Sequence, residues 1–378
     1  MLKKPNAKPL RIGVDARLAF RRGVGTYTAN LLLALTKIDR KNLYYLFNAP
    51  ENLRSGIRDA RVHFVDLPFT NAAYYEQVLL PREARKIGLD FLHYVDNSAS
   101  VWTDFPFVLT LHDTMYQRPL RQVRPHPTLR QRLIHAYKQW AIPSSARKAR
   151  AILTVSKHSK EQIVEKIGVD PSKIQVTPEG VDLDRFKKTV RKASLLFRIL
   201  VHGAADERKN LSNVLKTIKL LADQGKKIRL AVIGMDEAEL KCTDYLGEAA
   251  SLGVGHLVDW AGNVPGETLR RVYSESDLFL YPSRWEGFGL PVLEAFACGV
   301  PVVTSNSTSL PEVAGDAALL VDPEDPAAIE GAVRQLMEKP LLRKRCIQKG
   351  LKRVGKFTWE RTAQLTLGVY EQVRAGIE

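Results

Sequence analysis

From Leu196 the chain begins again a pattern it has already run once from Leu10, and this repeat limits the fold more than any other feature. Each run opens on a short apolar stretch, passes through a polar or glycine-bearing loop, and enters a segment with helical apolar spacing. In the first run the spacing predicts strands at Leu10–Asp15, Leu43–Phe47, Arg61–Asp66, Phe91–Tyr94, Phe107–Leu111 and Ala151–Val155, with a strand-to-turn segment at 174–182. Helices are predicted near Thr26–Lys37, Tyr75–Ile87, Pro127–Ala146 and Lys157–Ile167. In the second run the predicted strands are Leu196–Val201, Ile228–Ile233, Leu257–Trp260, Leu278–Tyr281, Val300–Val303 and Ala317–Val321. Its predicted helices are Leu211–Leu221, Glu237–Ser251, Glu267–Ser274, Pro291–Cys298 and Pro326–Met337, followed by Leu341–Val354 and Trp359–Ala375 without further strands. Strands alternating with helices indicate parallel sheets, because each crossover must return the chain to the same end of the sheet. The expected fold class is therefore α/β, as two doubly wound parallel-sheet domains in tandem. A chain of 378 residues suits two cores better than one. The expected division is 1–185, 186–355 and a terminal helix at 356–378 that braces the outside or crosses back, with residues 183–194 as the connection.

Ligands of such sheets bind beyond the C-terminal strand ends. The richest of these places is Tyr281–Ala295, where a buried strand runs into a loop with Gly287 and Gly289 and then a helix with Pro291 in its first turn and Gly299 past its end. A glycine loop at a helix N-terminus offers free N–H groups and a dipole that favours an anion. Glu286 in the loop is read as a free carboxylate, and Glu294 lies in the helix. Carboxylates beside a phosphate cradle accept from hydroxyls, which points to a ligand anionic in the middle and hydroxylated at its ends. Arg208, Lys209 and Asn210 before another helix add cations suited to phosphate. Two carboxylates could also mark a glycoside hydrolase, but hydrolysis needs no cationic cradle.

In the first half, Asp15, Arg17, Arg21 and Arg22 surround the turn Gly23-Val24-Gly25. Thr28 stands where a dinucleotide fingerprint needs its third glycine, so a nicotinamide site is weakly supported. His112 and Asp113 follow a predicted strand and read either as functional groups or as strand-end residues with surface and loop partners. Ser156 reads as a helix cap.

The net charge is +16, and Tyr116–Arg150 holds nine Lys or Arg (118, 121, 124, 130, 132, 138, 147, 148, 150) and no Asp or Glu. Leu133, Ile134, Tyr137 and Trp140 sit among them. The stretch is either a solvated helix face or an amphipathic surface for anionic lipid headgroups. No nucleic-acid motif accompanies it. The N-terminal residues 1–9 are basic without an apolar run, so no signal peptide is expected. No apolar stretch is long enough to span a bilayer. Cys242, Cys298 and Cys346 have no metal spacing and suggest a reducing, cytoplasmic setting.

Glu286 and Glu294 around Gly287-Phe288-Gly289-Leu290-Pro291 resemble the E-x7-E signature of retaining glycosyltransferase family 4, the group 1 enzymes. The segments Tyr281–Ser283, Ala297–Val303, Pro311–Val313, Arg208–Asn210, Gly180–Asp182, Val155-Ser156, His112-Asp113 and Gly23–Gly25 are similar as well. The resemblance implies a GT-B fold, two Rossmann-like domains facing across a cleft. The second domain would hold a nucleotide diphosphate sugar, GDP- or UDP-linked, and the first a glycan or lipid-linked acceptor. Transfer would proceed with retention and without a metal. It further implies that Glu294 binds the ribose, Glu286 the donor sugar, and the backbone of Gly287, Phe288, Gly289 and Leu290 the diphosphate. Lys209 and Arg208 would neutralise the leaving group, His112 would face the sugar, and Gly23 and Gly25 would approach the diphosphate. Gly203 is followed by Ala204 where many members carry Arg, so Arg208 is expected to supply the second cation. Overall likeness to bacterial mannosyltransferases implies GDP-mannose as donor and a cytoplasmic protein, peripheral at the inner membrane face. A nucleotide-sugar epimerase on the same scaffold and a non-catalytic sugar-nucleotide or membrane binder are the alternatives.

Overall fold

The computed structural model describes residues 8–20, 23–68, 71–120, 127–189 and 195–377, apart from the side chain of Glu267. Arg21, Arg22, Arg121, Arg124, residues 1–7 and residues 190–194 of the expected connection lie outside the described residues. The chain forms two compact units. One takes the residues up to Gln117, then Thr128–Gly180 and the chain from Trp359 onward; the other takes Val181–Thr358 with Arg118–Pro127.

The first unit holds β1 (Arg11–Asp15), β2 (Leu43–Phe47), β3 (Val62–Val65), β4 (Phe91–Tyr94), β5 (Phe107–Thr110), β6 (Ala151–Thr154) and β7 (Ile174–Val176). They form one parallel sheet in the order β3-β2-β1-β4-β5-β6-β7. β4, β5 and β6 are buried at every position, as helices on both faces of a sheet require. The core packs Phe47, Tyr94, Phe107, Leu109 and Ile152 against Ile142 and Ile163 of the covering helices. The last helix, Trp359–Ala375, belongs to this unit. Tyr370 Oη lies 2.7 Å from His93 Nδ1, and Thr362 donates to the Pro178 carbonyl at 2.6 Å.

The second unit holds β8 (Phe197–His202), β9 (Ile228–Ile233), β10 (Val258–Gly262), β11 (Leu278–Tyr281), β12 (Val302–Ser305) and β13 (Leu319–Val321). Its parallel order is β10-β9-β8-β11-β12-β13. Both sheets thus have the Rossmann order, with the direction of strand succession reversing between β1 and β4 and between β8 and β11. Along β11 the side chains alternate. Leu278 and Leu280 enter the aliphatic core with Ile199, Leu230 and Val303. Phe279 and Tyr281 face the other way and stack at 5.3 Å.

Two predicted helices differ in detail. Tyr75–Ile87 is not one α-helix: a π-helical segment, Tyr75–Leu79, precedes Leu80–Ile87. The wider turn brings Glu76 and Gln77 into the interior. There Glu76 accepts from Ser98 Oγ at 2.9 Å and Tyr137 Oη at 3.1 Å. Gln77 Nε2 bonds Tyr137 Oη at 2.8 Å, and its Oε1 accepts from Val101 N–H at 2.8 Å. Glu237–Ser251 is two helices, Glu237–Lys241 and Tyr245–Ser251. Between them the Thr243 hydroxyl donates to the Leu240 carbonyl at 2.9 Å, a local bond that competes with helix continuation.

Candidate active site

The strand order reverses in the second unit between β8 and β11, and the loops leaving these two strands carry the expected cations and carboxylates. β8 ends at His202, and Gly203 follows. A Cβ on Gly203 would lie 2.7 Å from Val232 Cγ1 and 2.9 Å from Met235 Sδ, so only glycine lets this exit pack on that of β9. A single 3-10 turn, Glu207–Lys209, follows, its Arg208 N–H capped by the Asp206 side chain at 2.8 Å. Asn210 is left-handed at φ 61° and buried, and its amide donates to the carbonyls of Pro282 at 3.0 Å and Pro323 at 2.6 Å. Arg284 N–H donates to the Arg208 carbonyl at 2.8 Å. These bonds fix the cation turn against the β11 loop.

Glu286 is not free, as the sequence suggested. It is 7% exposed, and a carboxylate that far from water needs counter-charge. Oε1 lies 2.7 Å from Lys209 Nζ and accepts from Tyr281 Oη at 2.8 Å. Oε2 lies 3.5 Å from Arg208 NH1. Arg208 also pairs with Asp206 at 3.2 Å. Arg208 thus stands beside the same carboxylate as Lys209. Burial alone would raise the Glu286 carboxyl. The charges of Lys209 and Arg208, with hydrogen bonds from Lys209 and Tyr281, outweigh it and bring it down to about 2 from 4.5. Burial holds the Lys209 ammonium below its ordinary value, with Glu286 opposing and Arg208 adding to the effect. Burial and Glu286 keep the Tyr281 phenol protonated far above its usual range.

A carboxyl lowered on folding adds stability above its unfolded value that is lost as pH falls through its folded value. For Glu286 the window runs from pH 4.5 down to about 2, and the loss is on the order of 3 kcal/mol. The urea midpoint of Glu286→Gln is expected to fall less across that window than that of the parent chain. Parallel pH curves would show that the pair contributes nothing.

The loop beyond Glu286 is held from the 306–310 turn. Glu286 N–H donates to Thr308 Oγ1 at 3.2 Å, and Ser309 Oγ donates to the carbonyls of Glu286 at 3.0 Å and Phe288 at 2.7 Å. Gly289 has φ 117°, and a Cβ there would lie 2.7 Å from Leu310 Cδ2. The helix that follows is Leu290–Ala297, with Pro291 at its start and Gly299 just past its Cys298 cap. The Phe288 side chain is buried against Phe357, ring centroids 5.9 Å apart. An α-helix leaves its first N–H groups without carbonyl partners inside it, and Gly289 and Leu290 stand at that end of this helix.

Glu294 is nearly buried, one turn into this helix, and accepts from Tyr273 Oη at 2.9 Å. Tyr273 Oη also lies 3.1 Å from His202 Nε2. The Tyr273 ring packs edge-on to Phe279 at 5.4 Å, on the face of β11 opposite Leu278 and Leu280. Thus β8, β11 and the Gly266–Glu275 helix jointly aim one carboxylate. Tyr273, Thr308 and Ser309 escaped the sequence reading. Tyr281 carried a signal, because a phenol ending an apolar buried strand needs a polar partner.

The remaining expected residues lie in the first unit. Gly23 is left-handed at φ 65° and caps a helix that starts at Val24, two residues earlier than expected. Gly25 therefore sits in the first turn, its carbonyl accepting from Phe20 N–H at 2.9 Å. His112 follows β5 and is buried. Its N–H donates to Asn97 Oδ1 at 2.7 Å, and its Nε2 lies 3.0 Å from the Val95 carbonyl, which makes Nε2 the protonated nitrogen. Nδ1 faces Glu179 at 3.7 Å. Burial disfavours the charged ring, but Glu179 outweighs it and the His112 value is raised. Asp113 holds its loop by accepting from Met115 N–H at 2.8 Å, and Ser156 caps the Lys157–Ile167 helix.

Two Rossmann-ordered parallel sheets in one chain, the second carrying this cluster where its strand order reverses, define the GT-B class. A solved sucrose-phosphate synthase from Thermosynechococcus elongatus shares the fold at TM-score 0.76 and 19% identity, over 97% of this chain and 100% of that one. Residues 184–353 match the family described as Glycosyl transferases group 1, and residues 21–185 that described as Glycosyltransferase Family 4. The chain belongs to the group 1, family 4 glycosyltransferases. An O-antigen chain mannosyltransferase B of Escherichia coli is 33% identical over 246 residues, 62% of this chain and 64% of that protein. An MMP alpha-(1->4)-mannosyltransferase of Mycolicibacterium hassiacum is 28% identical over 280 residues, 72% and 67%. The matched region thus spans about two thirds of each relative.

Proposed function

We propose that this chain moves mannose from GDP-mannose to a glycan or lipid-linked acceptor with retention of anomeric configuration. The observation that carries the reading is the buried set Glu286, Lys209, Arg208 and Tyr281 beside the helix that bears Glu294. The two relatives named as mannosyltransferases support mannose as the sugar.

In this reading the diphosphate lies on the backbone of Gly287 to Leu290 and draws Lys209 and Arg208 toward itself. Glu294, aimed by Tyr273, accepts from the ribose hydroxyls. Glu286 keeps Tyr281 Oη on Oε1 and takes sugar hydroxyls on Oε2. The bond from the anomeric carbon to the diphosphate oxygen breaks, and that oxygen leaves with the electron pair. Lys209 and Arg208 stabilise the charge as it develops, which is often the largest catalytic contribution. The acceptor oxygen forms the new bond on the face the diphosphate leaves, and its proton passes to the departing phosphate.

The test is NMR of GDP-α-mannose incubated with the chain and a lipid-linked acceptor fraction. The expected result is GDP release matched by an α-linked product. A donor interconverted without acceptor and without GDP release would instead indicate an epimerase. Donor binding with no turnover on any acceptor would indicate a non-catalytic binder.

A further inference from the structure

We propose that Glu179 is a positioning residue that holds His112 in its imidazolium form, so that His112 serves sugar transfer by its charge and not as a base. The partners of the two ring nitrogens decide this. A neutral imidazole donates from one nitrogen and accepts at the other, whereas the charged ring donates from both. His112 Nε2 lies 3.0 Å from the Val95 carbonyl, and Nδ1 lies 3.7 Å from Glu179 Oε1. A carbonyl and a carboxylate only accept. A neutral ring would turn a lone pair on one of them in a buried site, and the charged ring satisfies both.

His93, on the neighbouring strand β4, is the contrast. Its Nδ1 lies 2.7 Å from Tyr370 Oη and its Nε2 lies 2.8 Å from Thr110 Oγ1. Hydroxyls donate or accept, so a neutral His93 is satisfied on both sides. Burial first, and then the charge of His112, bring it down to about 3 from 6.5. Two buried histidines of one sheet thus hold different charge states, because their neighbours differ in what they can donate.

Both members of the pair are fixed in place. His112 N–H donates to Asn97 Oδ1 at 2.7 Å, and its carbonyl accepts from Ser159 Oγ at 2.9 Å. The Tyr27 ring packs edge-on to the imidazole at 4.7 Å. On the other side, Thr177 N–H donates to the Thr154 carbonyl at 2.7 Å, and Thr362 of the last helix holds the Pro178 carbonyl. These bonds seat the segment that carries Glu179, whose side chain is only 12% exposed. Of the other groups around the ring, Asp113 adds a second negative charge. Tyr27, kept protonated by burial, and His93 are neutral.

An imidazolium has no lone pair for an acceptor hydroxyl, so the proton released in transfer goes elsewhere. That purpose rests on the transferase reading; the charge state does not.

The test is NMR titration of the histidine ring nitrogens in the full chain from about pH 5 to 9, with His112 assigned from the spectrum of His112→Gln. In the parent, His112 should titrate above the ordinary 6.5. In Glu179→Gln the midpoint should fall by at least about one pH unit. The alkaline limb of the transfer profile should move down with it, and should return toward the parent in Glu179→Asp. A parent His112 that titrates below 6.5 would overturn the proposal, a result that needs no donor, acceptor or folded variant. So would a midpoint that Glu179→Gln leaves in place. A midpoint that falls while the transfer profile stays would overturn the part given to His112 in transfer. A falling midpoint in a chain that transfers no sugar would uphold the ion pair and overturn the transferase reading.

Discussion

Glu286→Gln is expected to lower sugar transfer by about 100- to 1000-fold while nucleoside-diphosphate affinity holds or rises. The two signs follow from one geometry. Gln keeps the size of Glu and an oxygen to accept from Tyr281, but it removes the negative charge that Lys209 and Arg208 share. The sugar then loses the carboxylate that receives its hydroxyls and steadies charge at the anomeric carbon. The cations are released from their internal partner and meet the diphosphate at lower cost. Steady-state GDP release and titration calorimetry measure the two quantities separately. A merely structural Glu286 would lower both together; near-parental transfer would remove the assigned role.

Lys209→Ala should lower transfer about 100- to 1000-fold as well, but with diphosphate affinity down rather than held or raised. Lys209 Nζ is the closest cation to Glu286 at 2.7 Å and also sits 4.6 Å from the Tyr281 ring centre, so it is positioned by two independent neighbours. Its removal leaves Glu286 buried with only Arg208 and Tyr281. Breaking one side of a buried pair costs about 3 kcal/mol or more of stability. Lys209→Ala/Glu286→Gln removes both charges and should regain part of that stability without regaining transfer, a coupling typical of residues in contact. Stability losses that simply add in the double variant would mean the two charges do not communicate.

Local chemistry made much of the second unit legible. β9 and β11 coincide with the predicted strands because both are short apolar runs between polar turns. The Glu294 helix was bracketed by Pro291 and Gly299, each suited to one helix end. What escaped is what depends on distance along the chain. Lys209 and Glu286 stand 77 positions apart, and no periodicity states that they pair. Tyr273 meets Glu294 only because β11 places the Gly266–Glu275 helix beside the next helix. The π-helical turn was hidden for a different reason. Tyr75–Ile87 satisfies an ordinary helical spacing until Glu76 and Gln77 find polar partners inside, and those partners come from residues 98 to 101 and from Tyr137. In the first unit, the strand ends were readable and the histidine was found. Its partner Glu179, beyond β7, was not, since a contact across the sheet leaves no local trace.

The most direct measurement is calorimetric titration of a nucleoside diphosphate into the parent chain and into Glu294→Ala. The account predicts binding by the parent chain and a dissociation constant raised about 10- to 100-fold in the variant, the loss of charge-assisted hydrogen bonds to ribose. An unchanged dissociation constant, or a parent chain that binds no nucleotide, would contradict it.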